Sequence, residues 1–394
     1  MRPLRVAVVG LGSAGPAVAL LLASDGHDVT VLEREADPGP VGAGIWLQHL
    51  GQQVLDRLGL LDDLRAVSRE VSRVHGLTVG GRTVMDFSYA AVPGAVAALG
   101  VHRGTLFGLL HRALLASQVR LATGVNVTAV RPTPDGTLLL GPDGEIGCYD
   151  LVVGADGSRS TVRAAMGVTV RDRPYRYGAL WAVVDDPDGL AGHELRQVLD
   201  GTSRYFGVLP TGDHQASIFW SEPTATAAAT IAQGLPAWRE QARPFAGPCE
   251  PLLERVDRLL PAAYRDVVVR TPYRAARGAA VVLVGDAAHA MSPQLGAGTS
   301  IALADAWGLH RALATHADLP TALASYARDR AAHVRWYQWW SRMLVPVFQS
   351  DLSPLALPRD LLAPLVGEIP WVREQMVRTL VGDRVSLWGG WGVS

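Results

Sequence analysis

Residues 5–15, Arg-Val-Ala-Val-Val-Gly-Leu-Gly-Ser-Ala-Gly, decide the fold. An apolar run ends at Val9 and enters a glycine turn, and an alanine- and leucine-rich stretch continues from Ala14 to Ser24. His27–Glu33 then reads as a second strand. Strand, glycine turn, helix and strand in that order make a βαβ unit, the seed of a parallel sheet with helices on its faces. Gly10, Gly12 and Gly15 carry GxGxxG spacing in the context that gives it meaning. Gly10 permits the tight turn, Gly12 lets the backbone approach a pyrophosphate, and Gly15 lets the helix pack close to the strand. Ser13 and Ala14 open the helix, where free N–H groups and the dipole favour an anion. Glu33 follows Gly12 by 21 residues, and a carboxylate there can accept hydrogen bonds from an adenosine ribose. The fingerprint points to a dinucleotide without saying which.

Outward from this unit the pattern changes twice. Pro38, Gly39, Pro40 and Gly42 mark an irregular loop, and residues 50–66 read as one amphipathic helix. Residues 70–99 are short alternating stretches. A helix is expected at Arg103–Ser117, then strands around Arg120–Arg131, Thr137–Gly141 and Leu151–Gly154. From Val170 to Tyr273 the pattern is mostly strand, with one helix after Thr224. Ala279–Gly285 is again a continuous apolar strand, followed by a helical run from Ser300 to Ala314. The expected fold is therefore α/β: a Rossmann-like nucleotide-binding domain (1–75, 100–170 and 275–345) interrupted by a sheet-rich domain (76–99 and 171–274). A helical tail, 346–394, closes it, with one helix near Pro370–Val381.

Composition excludes other classes. The formal net charge of −1 and the absence of a basic stripe argue against a nucleic-acid partner. Two cysteines, Cys148 and Cys249, make neither a disulfide framework nor a metal-ligand spacing, and a reducing cytoplasm is the expected location. No apolar run is long enough for a membrane span. None of the 36 cationic residues is lysine, which excludes Schiff-base chemistry.

Two further motifs complete the pattern. Residues 154–163, Gly-Ala-Asp-Gly-Ser-Arg-Ser-Thr-Val-Arg, run from a strand into a glycine turn, and so do residues 285–298, Gly-Asp-Ala-Ala-His-Ala-Met-Ser-Pro-Gln-Leu-Gly-Ala-Gly. With Glu33-Arg34, these three motifs in this order resemble the group A flavoprotein monooxygenases, the para-hydroxybenzoate hydroxylase-like and salicylate hydroxylase-like enzymes, over roughly residues 4 to 340. The resemblance implies bound FAD, NADPH or NADH as a transient reductant and O2 as co-substrate, with oxygen delivered through a flavin C4a-hydroperoxide. It implies that Glu33 and Arg34 meet the adenosine, that Asp286 meets the ribityl chain, and that Arg103 lies beside the flavin. Gly44 and Ile45 would pass the flavin ring, and Val127, Asp156, Gly285, Pro293, Gly296, Ala297, Gly298 and Thr299 would complete the cofactor contacts. Asp156 and Arg163 are associated in the family with both FAD and NADPH. The positive end of the helix near Gly298–Ser300 would favour the anionic reduced flavin. Two positions depart from the family pattern: Ala297 stands where many members have glutamine, and His49-Leu50 where Pro-Asn is common.

The expected function is hydroxylation or epoxidation of a small aromatic or polyketide-like molecule. A flavin oxidase, dehydrogenase or reductase on the same scaffold is the alternative. A halogenase is rejected, since it needs a lysine and a WxWxIP motif. The candidate substrate wall is Trp46, Tyr205, Phe206, Phe219, Trp220 and Met291, with ordinary core packing as the competing reading of the sheet aromatics. His49 is the candidate for a direct catalytic role, whereas His289 is expected to be structural. Trp336, Trp339 and Trp340 form an i, i+3, i+4 stripe expected to dock a helix against the FAD domain. A homodimer is compatible with all of this, and no metal is expected.

Overall fold

The computed structural model describes residues 1–39, 42–212, 214–276 and 278–393, so Pro40 of the irregular loop lies outside the described residues. Its centre is a six-stranded sheet in the order Tyr273–Ala276, Ala279–Leu283, Leu151–Gly154, Arg5–Val9, Asp28–Leu32, Arg120–Ala122. All neighbours pair in parallel except the first two. The strands Leu151–Gly154 and Ala279–Leu283 are apolar along their whole length because both faces are covered, one by Ala14–Ser24 and Gly298–Thr315, the other by Thr161–Met166 and the strands Ala129–Thr133 and Gly136–Gly141. The helices Ala14–Ser24 and Gly298–Thr315 pack together over one face, and Leu22, Val54, Leu114, Leu303 and Leu309 are fully enclosed there.

A second sheet has seven strands, in the order Leu260–Ala262, Tyr177–Asp185, Gln215–Pro223, Arg204–Gly212, Glu194–Asp200, Arg73–Thr78, Thr83–Ser88. One of its faces carries Leu180, Ala182, Phe206, Val208, Ile218 and Trp220, and is sealed by Trp238, Phe245 and Leu252. A two-stranded link, Thr169–Pro174 with Arg265–Val269, joins the two sheets through the chain. The strands Gly44–Leu47, Ala98–His102 and Arg69–Val71 form a small sheet against the second one, and a Cβ on Gly100 would lie 1.8 Å from the Pro210 carbonyl oxygen.

Four local expectations change. The helix expected over 50–66 is two, His49–Arg57 and Leu61–Ala66, broken where Gly59 takes φ +71°. Arg120–Arg131 is not one strand: Arg120–Ala122 closes the large sheet, and Ala129–Thr133 opens a separate three-stranded meander. The single helix after Thr224 is three, Ala227–Ala232, Leu235–Ala246 and Glu250–Glu254, because Gly234 and Gly247 interrupt the run. The tail holds two helices, Ala356–Glu368 as well as Pro370–Val381.

The tryptophan stripe does dock, but along a different line. The long helix Leu319–Phe348 buries Tyr326, Arg330, His333, Tyr337 and Ser341. Trp336 and Trp340 pack at the edge of a core cluster, and Trp339 is 51% exposed. The tail then returns to the nucleotide-binding core. Gly382 sits against Gln48 and Leu50, the Gly382 carbonyl accepts from His333 Nε2 at 2.7 Å, and Val393 enters the main cluster.

Candidate active site

The first turn is built by close approach. Gly10 has φ +106°, and its N–H donates to the Leu32 carbonyl at 2.8 Å. A Cβ on Gly10 would lie 2.5 Å from the Ala155 oxygen, and one on Gly15 would lie 2.0 Å from the Gly10 oxygen. A Cβ on Gly12 would meet nothing within 4 Å. The first and third glycines therefore close the turn while the second faces open space. Behind it, the helix Ala14–Ser24 begins with no side-chain cap on Ser13 and no acid in its first turn. Its leading N–H groups are left for an external acceptor. Glu33 is held at the end of its strand by N–H groups of Leu11 (2.9 Å) and Glu35 (3.0 Å), while Arg34 is exposed and pairs with Glu35 at 3.2 Å.

The turn after Ala279–Leu283 comes to the same place. A Cβ on Gly285 would lie 3.1 Å from Ala302 Cβ and 3.3 Å from Ala14 Cβ, so both long helices meet at this glycine. Asp286 is exposed although Gly285, Ala287, Ala288 and His289 around it are buried. Its carboxylate thus projects from a packed turn. The helix Gly298–Thr315 also starts without a side-chain cap or an early acid, and a Cβ on Gly298 would meet nothing within 4 Å. Pro293, Gly296 and Thr299 are half-buried around this start, and Ala297 is buried.

A buried ion network fixes this second turn from behind. Asp305, fully enclosed, accepts from Gly285 N (2.8 Å) and Arg330 Nε (2.8 Å), and shares a 2.5 Å hydrogen bond with His289 Nε2. His289 and Arg330 hold the Asp305 carboxyl well below the usual carboxylate range against the opposing effect of burial. Arg330 also lies 4.3 Å over the Trp391 ring. His289 belongs to this buried network, whose other members, Asp305 and Arg330, went unnoticed in the sequence. The signal was available: a lone acid inside the apolar run Ile301–Leu309 needs a buried partner.

The Asp156 turn joins the same assembly. Asp156 Oδ2 accepts from the N–H groups of Thr161 (2.7 Å) and Val162 (3.1 Å), Oδ1 is buried without a partner among the described residues, and burial pushes the carboxyl up. The buried Arg163 guanidinium donates to the carbonyls of Ser158 (2.7 Å) and Ala287 (3.0 Å) and pairs with Asp172 at 2.8 Å. It straps the Asp156 turn to the Asp286 turn. Val127 is buried behind Leu32 in the adjoining cluster.

The strand Gly44–Leu47 lines the other side. Gly44 N–H donates to Ser217 Oγ at 2.9 Å, Ile45 turns into the main core, and Trp46 lies against Gly296, where a Cβ would be 2.7 Å from Trp46 Cε3. Gln48 rather than His49 touches the second turn: its Nε2 donates to the Leu295 carbonyl (2.9 Å) and its N–H to Ser300 Oγ (3.1 Å). His49 opens the next helix, near Arg65, with Nδ1 buried and unpartnered among the described residues; burial lowers its pKa. Arg103 folds over Gly42, with its N–H bonded to the Ala43 carbonyl at 2.9 Å, and its exposed head makes no ion pair among the described residues.

The candidate substrate wall splits by strand alternation. Phe206 and Trp220 point to the helix-sealed face, packed against Trp238 and Phe245. They are ordinary core, which removes them from the wall. Tyr205 and Phe219 point to the opposite face with Trp181, Tyr264 and Phe348. Met291 and Trp46 belong to the neighbouring cluster, which shares Met85 and Leu344 with that face. Among the described residues, no group of His, Cys, Asp and Glu could hold a metal, and no helix is long and apolar enough to cross a membrane.

Comparison with known proteins agrees with this geometry. Residues 3–338 match the family described as FAD binding domain. The chain is 29% identical to aurachin C monooxygenase/isomerase of Stigmatella aurantiaca, over 97% of this chain and 96% of that one. It is 32% identical to 3-amino-4-hydroxybenzoate 2-monooxygenase of Streptomyces cremeus, over 91% of each. The structure is similar to the tetrameric form of 2-methyl-3-hydroxypyridine-5-carboxylic acid oxygenase, with a TM-score of 0.76 and 25% identity, covering 93% of this chain and 98% of the other. Two open helix ends converging on an exposed aspartate, found in a chain with this ancestry, place it in the FAD binding domain family as an FAD-dependent monooxygenase of the group A kind.

Proposed function

We propose that this enzyme hydroxylates or epoxidises an aromatic or heteroaromatic molecule in the space between the Tyr205–Phe219 face and the Met291–Gly298 turn, with NADPH or NADH as reductant and O2 as oxidant. The observation that carries the reading is the meeting of Gly285, Ala14 and Ala302, which brings two uncapped helix starts and the exposed Asp286 together. When bound, FAD supplies the redox and oxygen-transferring chemistry. The residues present fit it: open amides at Gly12 and Gly298 suit anionic groups, and the unpartnered Asp156 Oδ1 marks unmet hydrogen-bonding capacity beside them.

In this reading the Gly10–Gly15 turn and Ala14 hold the pyrophosphate, Glu33 and Arg34 hold the adenosine, and Asp286 holds the ribityl hydroxyls. Gly44, Ile45, Arg103 and the Pro293–Thr299 segment border the ring, and Val127 and Asp156 back the site. Trp46 and Met291 close the ring side of the pocket and keep water out, which protects a reactive intermediate from unproductive breakdown. The chain thus divides into an FAD unit, 1–75, 100–170 and 275–345, a substrate unit, 76–99 and 171–274, and a tail. A cytoplasmic location is supported by the two free cysteines. Pairing of two copies is supported by exposed Leu361, Leu362 and Leu365 on one tail helix. The compounds for which the relatives are named, an aurachin, an aminohydroxybenzoate and a hydroxypyridine carboxylate, support an aromatic substrate.

The test is oxidation of NADPH and NADH in air across a panel of phenols and nitrogen heteroaromatics, with product mass recorded. Substrate-stimulated oxidation and a gain of one oxygen atom are expected. Reduction of the flavin by a substrate alone without oxygen would instead establish the oxidase or dehydrogenase reading.

A further inference from the structure

The open face of the seven-stranded sheet is not uniformly filled. Along Arg204–Gly212 the residues that point to it are Tyr205, Gly207 and Leu209, in a stretch where the intervening Phe206 and Val208 enter the sealed core. Leu209 packs in the cluster that contains Trp46 and Leu295, at the cofactor side. Tyr205 lies four residues back along the strand, which is roughly 13 Å of extended chain. Between them Gly207 contributes no side chain. A Cβ built there would meet only Phe219 Cβ at 3.6 Å and the Arg196 carbonyl oxygen at 3.7 Å, both from its own sheet. Within 4 Å of that Cβ no atom of the facing helices enters.

The far end of the notch is aromatic and polar. Trp181 and Phe219 meet edge to face at 4.9 Å, and Tyr205 meets Phe219 at the same centroid distance. Trp181 Nε1 donates to the Tyr264 hydroxyl at 2.9 Å, so the Tyr264 proton points elsewhere. The Tyr205 hydroxyl, on a residue 8% exposed, makes no hydrogen bond to the described residues. Burial raises both phenols, and Tyr264 adds to the effect on Tyr205. Both rings therefore stay protonated and act as donors. Arg359 lies 5.5 Å over the Phe348 ring of the same cluster, and its guanidinium is already committed to Asp360 and to the Gly201 and Val347 carbonyls.

We propose that the Gly207 notch seats the substrate ring and that the Tyr205 and Tyr264 hydroxyls donate to a neutral oxygen acceptor on it, so that the preferred substrate is an uncharged aromatic carrying a ring carbonyl. This deepens the functional reading above and rests on it. A buried donor left without its acceptor costs more than the bond itself contributes, so the pair selects for the oxygen as well as tolerating it.

The test compares two probes on the FAD-loaded enzyme, a 4-quinolone with a short alkyl chain and the corresponding quinoline lacking its oxygen. Binding is read from perturbation of the flavin spectrum. The wild type is expected to favour the quinolone by about tenfold, the size of one or two hydrogen bonds. Tyr205→Phe and Tyr264→Phe are each expected to erase that preference while leaving quinoline affinity and FAD content unchanged. Gly207→Leu is expected to weaken both probes by more than tenfold, since it fills the ring's place. Equal affinity in the wild type, failure of either probe to bind it, or a preference retained in either phenylalanine variant overturns the proposal. Nicotinamide oxidation with the phenol panel on the same preparation reports separately on the functional reading. Its failure alone removes the monooxygenase substrate class and leaves the binding result intact.

Discussion

The two faces of the seven-stranded sheet are made by the same strands and carry the same kinds of side chain, yet they serve opposite purposes. Phe206 and Trp220 lock into a dry core under the Leu235–Ala246 helix, with Trp220 meeting both Trp238 and Phe245 edge to face. Their immediate neighbours in sequence, Tyr205 and Phe219, look the other way and leave a glycine-wide gap between themselves and the cofactor side. One face is sealed by helices, and the other holds Gly207 between Tyr205 and Leu209. Adjacent aromatics in a strand should therefore be read in alternate pairs, each pair assigned its own compartment.

The largest effect expected falls on the dense face. Trp220→Ala is expected to cost about 3–5 kcal/mol of stability, through a cavity that its packed neighbours cannot close. Chemical denaturation checks this, and an unchanged midpoint would show that this face is not the core we describe. By contrast, Phe219→Ala on the open face is expected to cost about half as much or less and to change the ranking of substrates. If the two variants lose equal stability and neither alters substrate ranking, the distinction between the faces fails.

Asp286→Ala moves the test to the cofactor. It is expected to weaken FAD retention by about tenfold or more, an effect of one or two charge-assisted hydrogen bonds, with the thermal transition of the apoprotein unchanged. Full yellow colour after dialysis would remove Asp286 from the site. Arg103→Ala is expected to lower turnover several-fold with normal expression, because its exposed head has no structural partner among the described residues. Unchanged kinetics would remove it likewise.

A smaller effect is expected with pH. His333 is fully enclosed, and burial together with Arg330 pushes its pKa well below that of a free imidazole. The unfolded chain takes up this proton below about pH 6.5 and the folded chain does not. Stability should therefore fall with decreasing pH from that point, at about 1.4 kcal/mol per pH unit for this one group. His333→Gln should flatten the slope by that amount, and an identical slope in the variant would show that His333 titrates freely.

The parts of this molecule that were legible in the sequence are those where one residue's chemistry suffices. The Arg5–Val9 strand and the Ala14–Ser24 helix lie where the glycine turn and the apolar run put them. The Asp286 turn was visible for the same reason. What was not legible depends on partners far away in the chain. Strand alternation could have been counted, but which face meets Leu235–Ala246 and which meets the Leu319–Phe348 helix is a tertiary choice. Gln48 reads as an ordinary polar residue until Leu295 and Ser300, some 250 residues later, arrive beside it. The breaks at Gly59 and Gly234 had a local signal, since an isolated glycine in a helical pattern stops the helix when it takes positive φ.

The return of the tail to the core has a consequence in time. Val393 joins the cluster that Val6 and Val8 begin, and Trp391 covers Arg330 behind the Asp286 turn. At a synthesis rate of roughly 5–20 residues per second, the first strand leaves the ribosome on the order of twenty to eighty seconds before those residues do. During that interval the nascent parallel sheet has its glycine turns but lacks its last cover, so the growing chain presents apolar surface that a chaperone or the cofactor itself must shield. Deleting residues 383–393 should then show up first as poor yield from cells, before any deficit in the purified enzyme.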